Sequence, residues 1–570
     1  MLKFQSMKKL TELFYIRQNK YIFLIITSNF LLYIISFLFV RNYYTSGLPY
    51  YDSVGSYVNM FSIANTTRQT GFLSGLFAAR LYSLSWLQSF FAVFAANLLP
   101  NAPEWMILLN FLTLFVAQFA IFRYLQNIGF GNKKAYFLSF LPLLPGVVFG
   151  WAGGVIDMRR DSSFLMMLIA GFFFFFDFIR NPGTKKGIVV GIVWGVTLWS
   201  RGNALPYFLC VLGPIFILNI SRNIQKKIMS AFIKHISIPI FVCLLISVPF
   251  YLLNWKEIYD KYVFGSWGIG TDRLSAIIAF LRFLPVMILG PEKNVLWVNT
   301  LFLLVMLFFI LFLLRKKMIF IAKHWYEESD AKDLLVSGIL VYFLVFIFNA
   351  VILGVGGYIF PNYPALVGII AIVIYLAGGL RISKNVNIKP TLIPLGPTFW
   401  TIVILLLNSL RMYISMPPEQ KILLQHTKKV AADLGPILGG KLVSYIWLDH
   451  INVHDLNFYI TKNKETPINA GSGLNQEADT EMPPNSQKPI QTQRTDYAKG
   501  IRSREYILVL EDTKSYENPH GFFFILMYGK PIIDDILSDS NLRKIYSFSD
   551  GLHSYVVLQN LLYQKKLEKI

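Results

Sequence analysis

Residues 187–220, GIVVGIVWGVTLWSRGNALPYFLCVLGPIFILNI, decide the fold class. The stretch is apolar for longer than one membrane helix needs, since about 20 residues cross the hydrocarbon core at helical rise. Its main polar interruption, Ser200-Arg201-Gly202-Asn203, divides it into two short spans that meet at Arg201. Lys185 and Lys186 precede the pair, and Arg222, Lys226, Lys227 and Lys234 follow it. Basic residues gather in cytoplasmic loops, so both flanks lie inside and Arg201 lies on the outer side.

The same alternation runs outward along the chain. Hydrophobic residues make up 55%, aromatic residues 16% and charged residues 15% of 570 positions, too little polar surface for a soluble globule. Lys3, Lys8, Lys9, Arg17 and Lys20 precede an apolar run at 21–40. That run exceeds a signal-peptide core and lacks a small-residue cleavage site, which predicts an uncleaved first span with its N-terminus inside. Further spans fall at 105–125, 135–156, 162–179, 236–254, 296–314, 334–353, a segment ending near 380, and 390–410, about eleven in all. Pro142 and Pro145 should kink the third. The net charge of +21 recurs in inner loops, so it points to topology and lipid headgroups as partners and away from nucleic acid.

The first outer loop, 41–104, opens with the polar island Tyr50-Tyr51-Asp52-Ser53-Val54-Gly55-Ser56-Tyr57. Its later part, 75–99, is apolar but broken by Arg80, Ser83, Ser85, Gln88 and Asn97, which suits a juxtamembrane helix lying in the interface. A second such helix is expected at 274–290. From 411 to 570 the composition becomes that of a soluble α+β domain. A helix at 419–434 and strands at 441–448, 506–510, 521–528 and 554–558 are expected. Residues 463–499 hold few large apolar side chains, which predicts a disordered insertion.

Ionisable residues near the membrane collect on one side: Asp52, Arg68, Arg80, Asp157, Arg159, Arg160, Asp161, Arg201, Asp272 and Arg273. Arginine is scarce in outer loops by the positive-inside tendency, so these predict an anionic ligand such as a lipid phosphate. Arg159 and Arg160 could equally pair with the aspartates beside them, and Asp161, before Ser162 and Ser163, could cap a helix. Arg201 has no acid near it in sequence. Transfer of a sugar from a lipid phosphate to a hydroxyl needs a carboxylate to take the proton and cations to steady the leaving phosphate, and both are present. Asp177 reads as an inner pairing residue. Cys210 and Cys243 lie in apolar stretches with no disulfide or zinc spacing, and the His450/His454 pair lacks a third ligand. Walker, dinucleotide and nucleophile-elbow motifs are absent.

This pattern resembles the GT-C superfamily of membrane glycosyltransferases, in the branch of protein O-mannosyltransferases and the lipid A aminoarabinose transferase. Tyr51 to Tyr57 looks like the acidic first-loop motif, Asp157 to Asp161 like the second acidic position before the fourth span, and Leu198-Trp199-Ser200-Arg201 like the basic end of the fifth. Gly357-Tyr358-Ile359-Phe360-Pro361-Asn362-Tyr363-Pro364 is similar to an arginine-tyrosine-x-x-proline-x-x-proline segment, with Gly357 in place of arginine. A phosphate contact there would pass to Arg201, Arg273 or Lys293.

The resemblance implies a GT-C-like catalytic domain at 1–410 and an extracytoplasmic α+β domain at 411–570, in a multi-pass protein of the bacterial plasma membrane. It implies transfer from a polyprenyl-phosphate-linked sugar to a lipid, glycan or protein acceptor. Asp52 would be the base, with Asp157 or Asp161 orienting the acceptor or a cation. Arg201, Arg80, Arg160 and Arg273 would hold the donor phosphate, and Tyr51, Tyr57 and Tyr358 would line the acceptor or lipid pocket. No metal ligand set is assigned, and a divalent cation is left open. The tyrosines also fit an interfacial aromatic belt. Two other classes compete: a transporter or flippase of lipid-linked sugars, which should carry its ionisable residues near the midplane, and a scaffold that displays the outer domain.

Overall fold

The computed structural model describes residues 20–38, 40, 51–80, 85–99, 103–143, 160–225, 229–259, 274, 276–278, 280, 329–353, 362–379, 418–445, 456–457, 459–460, 468–471, 502–511, 534–549 and 554–563. The chain forms two compact units, Met1–Arg41 with Thr66–Met412, and Asn42–Asn65 with Tyr413–Ile570.

The first unit is helical. Among the described residues, six helices are long and apolar enough to cross a membrane: Lys20–Leu38 (α1), Leu108–Asn127, Arg160–Arg180, and the apolar parts Ala204–Ser221, Phe232–Lys256 and Lys332–Ile352 of three longer runs. After α1 the chain forms Tyr51–Thr70 (α2), whose residues up to Asn65 are counted with the second unit, then Phe72–Arg80 (α3), Trp86–Ala95 (α4), the short Pro103–Met106 (α5), and Leu108–Asn127 (α6). Asn132–Leu138 (α7) and Arg160–Arg180 (α8) follow, then Thr184–Trp199 (α9), Ala204–Gln225 (α10) and Met229–Tyr259 (α11). Ser329–Phe346 (α12) runs on into a π turn at Ile347–Ile352, and Ala365–Gly379 (α13) is the last helix of the unit among the described residues.

Helix α8 is the centre of this bundle. Phe164 to Phe173 are buried without a gap, because the helix is apolar on every side and has neighbours on every side. Tyr124 of α6 meets Phe173 and Phe176 at 5.5 and 5.7 Å, Trp194 of α9 meets Phe175 at 4.8 Å, and Phe216 of α10 meets Phe175 at 6.0 Å. Helix α9 in turn lies against α11 through small residues, which lets the backbones approach where lipid gives no hydrophobic drive to associate. A Cβ at Gly191 would stand 2.6 Å from Val242 Cβ and 2.7 Å from the Pro239 carbonyl.

The second unit pairs a helix with a mixed sheet. Pro418–Leu438 (α14) buries Thr427, Val430, Ala431, Leu434 and Leu438, the spacing of one helical face. The strands Leu442–Tyr445 (β1), Asn469–Gly471 (β2), Tyr506–Leu510 (β3), Leu542–Ser549 (β4) and Ser554–Asn560 (β5) stand in the order β2-β1-β3-β5-β4. The β1 pairings are parallel and the β5 pairings antiparallel, with Val509 opposite Val556.

Several expectations need correction. The segment 75–99 forms two helices, α3 and α4, and Asp52 sits in the first turn of a helix where a loop was expected. The third span begins as α7 and passes into a 3-10 turn, Leu141–Leu143, where Pro142 denies the turn a backbone donor, in line with the expected kink; the rest of that span lies outside the described residues. Strand β2 lies inside the stretch expected to be disordered. It is held by Asn457, whose side chain accepts from the Ile468 N–H at 2.7 Å and donates to the Ile468 carbonyl at 2.9 Å. The composition of 463–499 hid this because three strand residues need no apolar run when the partner strand supplies the hydrogen bonds. The expected spans at 296–314 and 390–410 and the strand at 521–528 lie outside the described residues, as do His450 and His454.

Candidate functional site

Polar side chains collect at one end of the first unit, where α8 begins, α9 ends and α10 begins. The α8–α9 pair is a hairpin turned at Asn181-Pro182-Gly183, so the end of α9 must return to the start of α8. Arg201 follows α9 directly, and its Nη1 lies 2.8 Å from Asp161 Oδ1 in the first turn of α8. Both are buried, at 9% and 3% exposure. Arg201, which has no acid near it in sequence, thus meets one in space. Its guanidinium also faces the Phe164 ring at 6.0 Å.

The pair is close but incompletely bonded. Among the described residues Arg201 Nε is buried with no hydrogen-bond acceptor, and Nη1 faces the carboxylate without hydrogen-bond alignment. The Asn203 side-chain oxygen in the same turn is likewise buried without a donor among the described residues. Buried donors left unmet are costly, so they mark a place where a further acceptor gains more than it would at a satisfied surface. An oxyanion presented to Arg201 meets that requirement.

Around this pair other buried polar groups knit the helices. Ser163 donates to Asn110 of α6 at 2.7 Å. The Tyr207 hydroxyl of α10 donates to Asn349 Oδ1 at 3.0 Å, and Asn349 Nδ2 donates to Asn362 Oδ1 at 2.9 Å. Sequence reasoning missed Asn110, Asn349 and Asn362. The available signal was an asparagine within or beside an apolar run, which in a membrane usually faces protein.

Below the site, Trp86 of α4 packs edge-on to Trp199 and Phe250 at 5.6 and 5.2 Å, and its indole N–H donates to the Arg80 carbonyl at 2.9 Å. This ties the end of α3 and the start of α4 to the residue two places before Arg201.

The remaining candidates are dispersed. Arg80, exposed at the end of α3, carries its guanidinium over Phe77 at 4.8 Å. Arg160 opens α8, one residue before Asp161. Asp52, Tyr51 and Tyr57 fall in the first two turns of α2, and the stretch 42–65 belongs to the second unit. Asp157, Arg273, Tyr358 and Lys293 lie outside the described residues. Asp177, at the far end of α8, pairs with Lys186 at 2.9 Å and accepts from Asn127. Among the described residues no group of three or more His, Cys, Asp or Glu side chains could hold a metal ion.

No family model matches the sequence, and no curated protein does. Solved structures do match. The structure of ArnT from Cupriavidus metallidurans bound to undecaprenyl phosphate aligns at a TM-score of 0.53 with 13% identity, covering 95% of this chain and 98% of that one. The apo structure of the same protein aligns at 0.53 with 12% identity over the same shares. The chain is an integral membrane protein whose fold is similar to that of ArnT.

Proposed function

We propose that the protein is a glycosyltransferase that moves a sugar from a polyprenyl-phosphate-linked donor to a hydroxyl of a lipid, glycan or protein on the outer face of the membrane. The observation that carries this reading is the buried Asp161–Arg201 pair, with donors of Arg201 unmet, within a fold similar to that of a protein solved with undecaprenyl phosphate. In the reaction the acceptor oxygen bonds to the anomeric carbon as the bond from that carbon to the phosphate oxygen breaks. Asp52 takes the acceptor's proton, and Arg201, held by Asp161, neutralises charge gathering on the departing lipid phosphate. A fixed donor of this kind lowers a barrier by about 3–4 kcal/mol when the charge develops out of bulk water. Arg80, Arg160 and Arg273 assist, and the C-terminal α+β domain selects the acceptor.

The pair stands where one helix begins and another ends, away from the middle of either, which fits interfacial chemistry better than a midplane transport site. The test has two stages. Mass analysis of envelope lipids and glycans from cells with and without the intact gene identifies the transferred sugar and its attachment point. Asp52→Asn should then abolish that product while expression and binding of undecaprenyl phosphate persist; undiminished product removes Asp52 from the role of base.

A further inference from the structure

Asn349 lies in the π turn that ends α12, where Ile347, Val351 and Ile352 are exposed and Asn349 and Ala350 are buried. A π turn inserts an extra residue into the helical repeat and so re-aims the side chains that follow it, and such turns concentrate at functional positions. Here the amide is aimed inward. Asn349 accepts from Tyr207, one turn into α10, and donates to Asn362, three residues before α13. Asn349 and Asn362 are wholly buried and Tyr207 is 2% exposed. A single amide therefore links the start of α10 to the end of α12 and the approach to α13.

The Tyr207 ring meets the Phe164 ring edge-on at 6.2 Å, and Phe164 is the ring that the Arg201 guanidinium faces. Tyr207 also meets Phe348 edge-on at 5.4 Å, so it is gripped on two sides as well as at its hydroxyl. The chain of contacts runs Asn362, Asn349, Tyr207, Phe164, Arg201. Each member is packed and neutral until the last, which carries the charge.

We infer that Asn349 is a positioning residue for a lipid-phosphate site at Arg201, acting through Tyr207 and Phe164. The inference rests on the proposed function for the identity of the ligand and adds a remote determinant of its affinity. The π turn sets the direction of the amide, the amide sets the height of Tyr207, and Tyr207 sets the plane of Phe164 beneath the guanidinium. Asn362 ties the entry of α13 into the same register.

The test uses full-length protein in lipid nanodiscs, with undecaprenyl phosphate as the probe and dissociation constants measured well below every variant's unfolding temperature. Tyr207→Phe deletes one oxygen and keeps the ring, so it folds even if Asn349→Leu is damaged. Both should weaken binding by about 5–20-fold, the scale of a lost buried hydrogen bond transmitted to the ligand. Because they act through one link, the double variant should bind no more weakly than Asn349→Leu alone. Gln118→Leu breaks the buried Asn29–Gln118 amide pair between α1 and α6, and should lower the unfolding temperature without changing the affinity.

Wild-type affinity in Tyr207→Phe and Asn349→Leu, with Arg201→Gln weakened, overturns the inference and leaves the proposed function standing. An equal loss of affinity in Gln118→Leu also overturns it, because general loosening then accounts for the effect. Absence of binding by the unaltered protein overturns the proposed function and the inference together.

Discussion

Arg201 and Asp161 face each other across the open end of the α8–α9 hairpin, with Nη1 2.8 Å from Oδ1 and both side chains buried. Removing one partner leaves a buried charge without compensation, which costs about 3–5 kcal/mol. Asp161→Asn and Arg201→Gln should each destabilise the protein by that amount in chemical unfolding of the detergent-solubilised chain. Asp161→Asn combined with Arg201→Met should recover much of the loss and remain inactive. Equal stability of all three variants would show that the pair carries no net charge interaction.

The α9–α11 contact predicts a graded steric series. Gly191→Ala forces a methyl group against Val242 Cβ at 2.6 Å and the Pro239 carbonyl at 2.7 Å, and the backbone oxygen cannot step aside. Overpacking of this sort costs about 1–3 kcal/mol, and Gly191→Val should cost more. Gly213, where an added methyl group would meet nothing within 4 Å, is the internal control. Gly213→Ala should be neutral or stabilising by about 0.5–1 kcal/mol through helix propensity. Thermal unfolding of the three variants side by side checks the order.

Trp86 offers a separation of packing from hydrogen bonding. Trp86→Phe keeps an aromatic ring against Trp199 and Phe250 but loses the bond to the Arg80 carbonyl, a cost of about 0.5–1.5 kcal/mol. Trp86→Ala removes both and should cost about 3–5 kcal/mol. Near-ultraviolet circular dichroism should report the loss of the Trp86–Trp199 contact in both variants, and denaturant midpoints should rank them.

The second unit should weaken in acid. The Asn541 backbone N–H above all, with the Arg502 guanidinium, holds the Asp539 carboxyl below its ordinary range, at contacts of 2.9 Å each. A carboxyl lowered by folding stabilises fully above its ordinary value, and that contribution disappears as pH falls below it. Stability should therefore fall as pH drops through the range below about 4. Asp539→Asn should lower stability at neutral pH and flatten that acid limb, measured by urea unfolding across pH with the sheet signal in the far ultraviolet.

Much of the first unit was legible in advance because a membrane allows few solutions. Apolar runs of span length must be helices, and basic loops orient them, which is why the break at 200–203 could be placed between α9 and α10. The hairpin also held an unused signal. Folding residues 160–203 about Pro182 sets Arg201 opposite Ser163, within reach of Asp161, so the acid that seemed absent from its sequence surroundings was one helix away. Strand β4 was not foreseen, since Arg543, Lys544, Ser547 and Ser549 break up its apolar alternation at an edge of the sheet.

The sequence by itself determined a polytopic helical membrane protein with a C-terminal α+β region and ionisable residues beside its apolar runs, because composition and span length are properties of the chain read in order. Only the tertiary structure decided which of those charges meet. The Asp161–Arg201 pair and the Tyr207–Asn349–Asn362 chain join residues whose proximity depends on helix crossings, and crossings depend on the close approaches that small residues such as Gly191 permit. A polar residue in an apolar run announces that it faces protein; its partner is chosen by how the helices pack.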